Sequence, residues 1–445
     1  MTPLTTTSSV VSTVGGGWRD LFGGRSGSLL LIISAMWMVT IGARIVYPAV
    51  IPEIQAEFGF GYSTVGILVG LVWGAYGLIQ FPGGLLADLR SHRLAILLGM
   101  GVTMIGLSTL LLGNSFVLLV LATAVLGAGT GILGPSRVIV LTNAFPEARS
   151  TAVSVSQAAG TLGNSVFPVV AGVVMGVLGW RAGIGFLLPL CVVVTVGLWL
   201  LVPRRIDGGS SASADEGSSG RAGDDSSGPV DDGSTGSAID TLVASGRALS
   251  GRAAVLGTVM MLGVMVAFQS VTGFLPTYFR DVAAVSPQQA TVLFGLFFAT
   301  GLVMQLSAGV VGDRIDPGRT VGLFAVVAIP GLLIVLSAES LWLLVVGVVL
   351  SSGLLGCFPP GLTYLASAFP ASVQGTGFGV IRTIYIGGGA LGPVAVGAIA
   401  DQYSLWIGFL ALVVALGGVV LVTGLLPRLG DTQGEGSHAR ATGSS

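Results

Sequence analysis

Three arginines lie inside stretches that are otherwise apolar enough to cross a membrane. Arg44 falls within TIGARIVYPAVIPEI, Arg137 within GPSRVIV and Arg382 within GFGVIRTIYIG. An arginine at the centre of a bilayer costs at least about 2.5–3.5 kcal/mol in insertion experiments. A guanidinium group binds carboxylate and phosphate oxygens through paired hydrogen bonds, which offsets such a cost. These residues therefore predict an oxyanion-binding site in the membrane interior.

The composition indicates an integral membrane protein. Of the 445 residues, 52% are hydrophobic and only 9% are charged, whereas soluble domains carry roughly 25% charged residues. Cys191 and Cys357 fall inside apolar runs; we expect small buried hydrophobes there, with redox or metal chemistry as the alternative. His92 and His438 lie outside those runs, so the sequence assembles neither a metal site nor a catalytic triad. We expect no enzymatic activity, no cofactor and no nucleic-acid partner.

Hydropathy predicts an all-α polytopic fold, because a helix needs about 20 apolar residues to cross a bilayer. Twelve transmembrane helices are expected, at 28–50, 62–86, 94–112, 116–140, 152–178, 182–202, 253–279, 289–312, 320–337, 341–366, 374–398 and 404–427. The predicted domains are a tail at 1–27, a six-helix bundle at 28–202, a linker at 203–252, a second six-helix bundle at 253–427 and a tail at 428–445.

The linker is acidic, rich in Gly and Ser and nearly free of large apolar residues. Such a composition cannot bury a core, so it predicts disorder. Its expected role is a tether that lets the bundles move, and a partner-binding element is the alternative.

The placement of arginines predicts the orientation, because cytoplasmic loops carry an excess of basic residues. With the N-terminus inside, only Arg181 and Arg280 of the loop and tail arginines fall outside. We therefore expect both termini and the linker to be cytoplasmic, and the protein to be a multi-pass protein of the plasma membrane.

The two halves of the chain repeat each other at an offset of 224 or 225 residues. The matched pairs are Asp88 with Asp313, Pro168 with Pro393, and Pro52 with Pro276. A parallel repeat of two six-helix halves is a transporter architecture, in which two bundles rock about a central cavity.

Two loops carry a family resemblance. GGLLADLRSHR (83–93) and GVVGDRIDPGR (309–319) resemble the G-x-x-x-D-R-x-G-R-R loop of the major facilitator superfamily, although Leu89 and Ser91 depart from it. The resemblance spans 28–427 and implies a transporter that works by alternating access. Asp88 and Asp313 lie at the inner ends of the second and eighth helices, where a carboxylate can hold a neighbouring arginine or a helix N-terminus and keep the two bundles in one state. An ordinary interfacial charge pair is the alternative. The candidate gating residues are Asp88, Arg90, Arg93, Asp313, Arg314 and Arg319.

In this family the first, fourth, seventh and tenth helices line the cavity, with the fifth, eighth and eleventh beside them. The repeat offset of 225 relates Arg44 to Gln269 and Gln157 to Arg382, so we expect these four side chains to converge near the midplane. The remaining substrate-binding candidates are Arg137, Tyr385, Gln305 and Tyr364.

Alternatives remain for the arginines and for the candidate tyrosines. Arg137 is nearest the cytoplasmic end of its helix, so snorkelling to the headgroups is its alternative. Arg382 has a structural alternative, pairing with a backbone carbonyl or a helix dipole. Arg44 also has a structural alternative, although no acid within the predicted spans is available to pair with it. Tyr385, Tyr364 and Gln305 are equally compatible with simple packing.

The substrate expected from these residues is a small organic anion. An arginine eight residues before Pro52 resembles the phosphate- and organic-anion-handling branches of the family, but organophosphate exchangers carry an arginine where this chain has Gln269. A carboxylate therefore fits better than a phosphate ester. No Asp, Glu or His lies deep in a predicted span, and proton relays use such groups. The sequence thus fits anion exchange or facilitated passage at least as well as proton symport.

Two other functions remain open. The Gly160, Gly163 and Pro168 spacing resembles that of drug–proton antiporters, which makes a multidrug or metabolite efflux carrier the first alternative. The second is a transporter-derived sensor that binds a solute without moving it. In each case the expected partners are a small molecule and membrane lipid, and the expected state is a monomer.

Overall fold

The structure, a computed structural model, describes residues 23–203, 251–368 and 374–427. Within these ranges it contains helices and no strands, and twelve spans are long and apolar enough to cross a membrane. The expected all-α fold with twelve transmembrane helices is confirmed. Residues 204–250 of the predicted linker, most of the N-terminal tail and all of the C-terminal tail lie outside the described residues. The domain boundaries therefore stay a prediction.

Each span receives one label here, even where it is broken into pieces. The first six are α1 (Gly24–Phe58), α2 (Tyr62–Leu89), α3 (His92–Leu112), α4 (Phe116–Ala144), α5 (Arg149–Leu178) and α6 (Trp180–Gly185 and Leu187–Leu201). The second six are α7 (Arg252–Asp281), α8 (Pro287–Gly312), α9 (Pro317–Ser337), α10 (Leu341–Ser351, Gly353–Gly356 and Phe358–Ser367), α11 (Gln374–Gly389 and Leu391–Gln402) and α12 (Leu405–Leu425).

The broken spans coincide with helix-weakening residues. In α10 the pieces are separated at Ser352 and Cys357, with Pro359 and Pro360 just beyond the second break. Proline lacks the backbone donor that a helix interior requires, and glycine gains little from helix formation. The break at Cys357 places Phe358 at the start of a new helical piece that faces the centre of the molecule.

Most connections place a capping side chain at the start of the next helix. The side chains that accept a hydrogen bond from the first turn are Ser91, Ser115, Ser286, Asp316, Ser340 and Ser404, for α3, α4, α8, α9, α10 and α12 respectively. These caps satisfy backbone donors that have no partner inside the helix. By contrast, α2 begins after Gly61, which has no side chain to offer.

The helices form two bundles that meet along one half of the molecule. Helix α2 packs on α11, α5 on α8, and α1 on α7. Glycines allow the contact: a Cβ added at Gly70 would lie 2.7 Å from the carbonyl oxygen of Ala390, and one added at Gly295 would lie 2.6 Å from that of Ser165. Small residues of this kind are what let membrane helices approach closely.

The bundles meet on the side of the α1–α2, α7–α8 and α11–α12 connections, which we call the closed face. The opposite side carries the α2–α3, α4–α5 and α8–α9 connections, and we call it the open face. The residues that line the central cavity lie near the middle of the helices and in their open-face halves.

Candidate functional site

A cavity of about 540 Å³ lies between the two bundles. The first bundle contributes residues from α1, α2, α4 and α5, and the second contributes residues from α7, α8, α10 and α11. The helices that line it include all those expected from the family resemblance, with α2 in addition. This volume falls within the range of about 300–1,000 Å³ typical of small-molecule sites.

Arg44 lies on α1 at the wall of the cavity and is only 3% exposed. Its guanidinium carbon lies 3.7 Å from the centre of the Tyr76 ring and 5.0 Å from the centre of the Trp73 ring, both on α2. The faces of these rings are negative and stabilise a cation without a carboxylate. The Nε and Nη1 atoms of Arg44 are buried and have no hydrogen-bond partner, so this cation is incompletely satisfied.

Arg137 lies on α4 and is also buried, with 6% of its surface exposed. Its Nη1 donates a hydrogen bond to Ser156 Oγ at 3.0 Å, and Nη2 donates a longer one to Gln157 Oε1 at 3.4 Å. Its guanidinium carbon lies 4.0 Å from the centre of the Trp37 ring. The side chain therefore turns into the protein, and the snorkelling alternative is not what the structure shows.

Arg382 reaches the cavity from α11, in the second bundle. Unlike Arg44 and Arg137, its side chain is exposed. Tyr385 lies one turn further along α11, lines the same cavity and is 3% exposed. The cavity thus receives a guanidinium group from each bundle.

The described lining of the cavity contains three arginines and no aspartate, glutamate or histidine. Removal of a charge from water without a partner is unfavourable by several kcal/mol. The aromatic faces stabilise two of these cations by about 0.5–2 kcal/mol each, which does not neutralise them. The electrostatic field of the cavity is therefore suited to an anion.

Aromatic rings form the side of the cavity nearest the closed face. Trp73 of α2 meets Phe268 of α7 edge to face, with ring centres 5.8 Å apart. Phe268 meets Phe358 of α10 at 5.1 Å, and Trp73 meets Tyr76 at 5.9 Å. We call Tyr76, Trp73, Phe268 and Phe358 the aromatic row; it crosses from one bundle to the other.

The structure brings six of the eight predicted substrate-binding residues to this cavity: Arg44, Arg137, Arg382, Gln157, Gln305 and Tyr385. Sequence reasoning missed the aromatic residues that hold the arginines, namely Trp37, Trp73 and Tyr76. A signal existed for two of them, because Trp73 and Tyr76 are three residues apart and so share one face of α2.

Gln269 does not line the cavity. This corrects the prediction that its side chain lies beside the arginines. Its side chain is fully buried between α7 and α11, where Nε2 donates a hydrogen bond to the carbonyl oxygen of Ile386 at 3.0 Å. Gly389 opposite leaves room for this amide, since a Cβ there would meet Nε2 at 3.0 Å. The repeat offset related the backbone positions of Gln269 and Arg44 but not the directions of their side chains.

Tyr364 is also outside the cavity, so its expected contact with substrate is corrected. Its ring packs against Gly257 and Gly318, and its hydroxyl donates to the carbonyl oxygen of Pro427 at 3.4 Å. These neighbours belong to the starts of α7 and α9 and the residues after α12. Tyr364 therefore packs helix ends at the open face.

The predicted gating residues lie at the open face, with exposed side chains at Arg90, Asp313, Arg314 and Arg319. Within the described residues, both ion pairs lie elsewhere, at Glu57–Arg181 and Glu53–Arg280. Arg93 donates to the carbonyl oxygen of Trp199 at 2.5 Å. The Asp88 side chain lies outside the described part of the structure. The gating role of these loops stays a prediction.

Twelve apolar spans in two bundles, with an arginine-lined cavity between them, have the architecture of a membrane transporter. A model of the Major Facilitator Superfamily matches residues 32–286 and 281–443. The chain belongs to this superfamily, as the two loops indicated. A sequence search of curated proteins found no match.

Solved structures of transporters share the fold. A bacterial homologue of the human lysosomal transporter Spinster, in an inward-facing and unoccupied conformation, has a TM-score of 0.74 at 17% identity, covering 90% of this chain and 96% of its own. The nucleoside transporter NupG has a TM-score of 0.69 at 13% identity, covering 89% and 98%. A bacterial homologue of the human drug peptide transporters PepT1 and PepT2 has a TM-score of 0.66 at 16% identity, covering 91% and 98%.

Proposed function

We propose that this transporter carries a small organic anion, with a carboxylate held by Arg44, Arg137 and Arg382. One observation carries the proposal: the three arginines line a single cavity whose described residues include no acid. A carboxylate in this cavity would pair with guanidinium groups that have no acidic partner in the described lining.

The position of the cations supports transport and not binding alone. Arg44 and Arg137 belong to the first bundle and Arg382 to the second, so one anion can contact both bundles. Binding that is stronger when the bundles close around the ligand favours an occluded state. Movement of the bundles would then expose the anion to the other face.

The proposed orientation places the open face in the cytoplasm, because the arginine distribution puts both termini there. The proposed protein is a monomer in the plasma membrane, surrounded by lipid. Arginine keeps its proton at physiological pH, and the described lining includes no carboxylate or histidine, the usual groups of proton relays. Exchange of one anion for another, or facilitated passage, is therefore the mode we propose.

Uptake by the purified protein in liposomes tests the proposal. Labelled carboxylates should enter vesicles loaded with unlabelled anion, and Arg44→Gln or Arg382→Gln should reduce uptake at least tenfold, since a hydrogen bond to a charged group contributes about 1.5–3 kcal/mol. Arg252→Gln is the matched control, because Arg252 is exposed at the start of α7, away from the cavity. Unchanged uptake by Arg44→Gln across carboxylates, phosphates and sulfonates would contradict the proposal.

The aromatic lining of the cavity also favours one alternative function, that of a multidrug or metabolite efflux carrier. That function predicts transport of lipophilic cations, which the three arginines oppose by charge repulsion. Lipophilic cations in the same uptake panel separate the two functions. A solute sensor, in turn, would bind anions without transporting them.

A further inference from the structure

The aromatic row carries an inference about the body of the ligand. Four aromatic side chains form one side of a cavity in which Arg44 and Arg137 already lie against rings. Trp73, Phe268 and Tyr76 are each less than 9% exposed, so their faces are largely screened from water. A planar apolar group would pack against the parts of these rings that line the cavity.

Charge limits the other end of the ligand. An amino acid would bring an ammonium group into a cavity with three guanidinium groups and no described carboxylate to pair with it. Like charges in close proximity repel more strongly inside a protein than in water, because the effective dielectric constant is lower there. A simple carboxylate avoids this repulsion.

We propose that the preferred substrate is an aromatic carboxylate without an amino group, with its ring on the aromatic row and its carboxylate at the arginines. The inference rests on the proposed anion transport and narrows it. The row also explains why one ligand would couple the bundles, because Trp73 and Phe268 belong to different bundles and meet at this site.

Three probes with related skeletons test this selectivity by competition against a labelled carboxylate. 3-Phenylpropanoate should compete at least tenfold better than propanoate, which lacks the ring, and than phenylalanine, which adds the ammonium group. Trp73→Leu should lower the preference for the ring about three- to tenfold, since an aromatic pair contributes about 0.5–1.5 kcal/mol beyond area burial. Phe81→Leu is the control, because Phe81 is 75% exposed on the outside of α2.

The outcomes separate this inference from the proposed function. Equal competition by 3-phenylpropanoate and propanoate, unaffected by Trp73→Leu, would overturn the aromatic selectivity and leave anion transport intact. Failure of every carboxylate to bind would overturn the proposed function itself. Trp73→Phe keeps an aromatic ring and should therefore retain most of the preference for 3-phenylpropanoate over propanoate. That result would show that the effect of Trp73→Leu does not come from a general loss of folding.

A separate observation concerns the closed face, where a helix of one bundle is capped by a side chain of the other. The Asp401 carboxylate of α11 accepts hydrogen bonds from the backbone N–H groups of Tyr62 at 2.7 Å and Ser63 at 2.8 Å, in the first turn of α2. Gly61, at the N-cap of α2, has no side chain to do this. A Cβ at Gly61 would lie 2.8 Å from Asp401 Oδ1, so glycine also makes the approach possible.

Further contacts join the bundles around this cap. The Tyr62 hydroxyl donates to Asp281 Oδ2 of α7 at 2.9 Å, and Arg280 of α7 forms an ion pair with Glu53 of α1. Each contact links a residue of one bundle to a residue of the other, at the face where the bundles touch.

We infer that Asp401 is a latch of the closed face. It caps α2 only while the bundles are together there, and their separation leaves two backbone donors without that partner. Loss of a typical N-cap costs enough to change an equilibrium about fivefold. Asp401→Ala should therefore shift the population about fivefold toward the state that is open at this face.

Spin labels on the two bundles measure this shift. Val117→Cys and Trp342→Cys place labels at exposed positions near the closed-face ends of α4 and α10, in a background with Cys191→Ala and Cys357→Ala. Pulsed dipolar spectroscopy should show a larger population of long distances for Asp401→Ala than for the parent. Gel filtration and thermal unfolding verify that the variant is folded.

Glu57→Gln is the matched control for the latch. Glu57 is a carboxylate at the same face, but it accepts hydrogen bonds from Trp180 and Arg181 within its own bundle. Its removal should leave the distance distribution unchanged. An Asp401→Ala distribution identical to the parent, in a folded protein, would overturn the latch.

Discussion

At the scale of single residues, the cavity keeps two buried cations charged without acidic partners. Arg44 lies on the Tyr76 ring, and Arg137 lies on the Trp37 ring and donates to Ser156. A carboxylate partner would neutralise each arginine and reduce its attraction for a ligand. Stacking positions the guanidinium group while its charge remains available.

Two glutamines test which amide side chains contribute to anion binding. Both were expected in the site, and only Gln157 lines the cavity. Gln157→Met should weaken anion binding several-fold, because Gln157 accepts from Arg137 beside the cavity. Gln269→Met should leave binding unchanged and lower the melting temperature, because hydrogen bonds between membrane helices contribute about 0.6 kcal/mol on average. Thermal-shift titration of both variants with a carboxylate measures the two effects together.

The opposite result, with binding lost in Gln269→Met and retained in Gln157→Met, would contradict the placement of the two amides. The two substitutions are chemically identical, so each variant is the other's control.

At the scale of helices, glycines determine where the bundles touch. A Cβ at Gly66 of α2 would meet the carbonyl group of Pro393 on α11, with the carbonyl carbon at 3.0 Å. Backbone atoms cannot move aside as a flexible side chain can, so a larger residue at Gly66 opposes closure at this face. The same residue would have space once the bundles separate there.

Gly66→Leu should therefore shift the equilibrium toward the state that is open at the closed face, and should slow exchange transport by at least severalfold. The spin-label pair at positions 117 and 342 reports the shift. Gly101→Leu is the control, because a Cβ at Gly101 has no neighbour within 4 Å. Equal distance distributions for the two leucine variants would show that contact at Gly66 does not control closure.

At the scale of the whole molecule, the contacts between the bundles and the cavity lie toward opposite faces. The bundles are joined at the closed face by the Asp401 cap, the Glu53–Arg280 ion pair and glycine-mediated packing. The cavity extends from the middle of the helices toward the open face, with arginines from both bundles. In the proposed alternating-access cycle this arrangement is one conformation, and we propose that the exposed Asp313 and Arg314 at the open face form contacts in another.

Much of this architecture was predictable from the sequence. Twelve apolar runs, the offset near 225 residues and two family loops predicted the spans and the transporter class, because hydropathy and loop motifs are local properties of the chain. Arg44, Arg137 and Arg382 were identified for a similar reason, since a charge within an apolar run is anomalous wherever the helix points.

Only the tertiary structure decided how those side chains are used. The rotation of each helix about its axis depends on packing with its neighbours. The contacts of Gln269 with Ile386 and of Tyr364 with Pro427 could therefore not be inferred from the sequence pattern. The same holds for the aromatic rings that contact Arg44 and Arg137, because these rings belong to other helices. It holds also for the capping of α2 by Asp401, which is 339 residues away along the chain. The chain's composition determined which groups enter the membrane, whereas the packing of two bundles determined which of them meet.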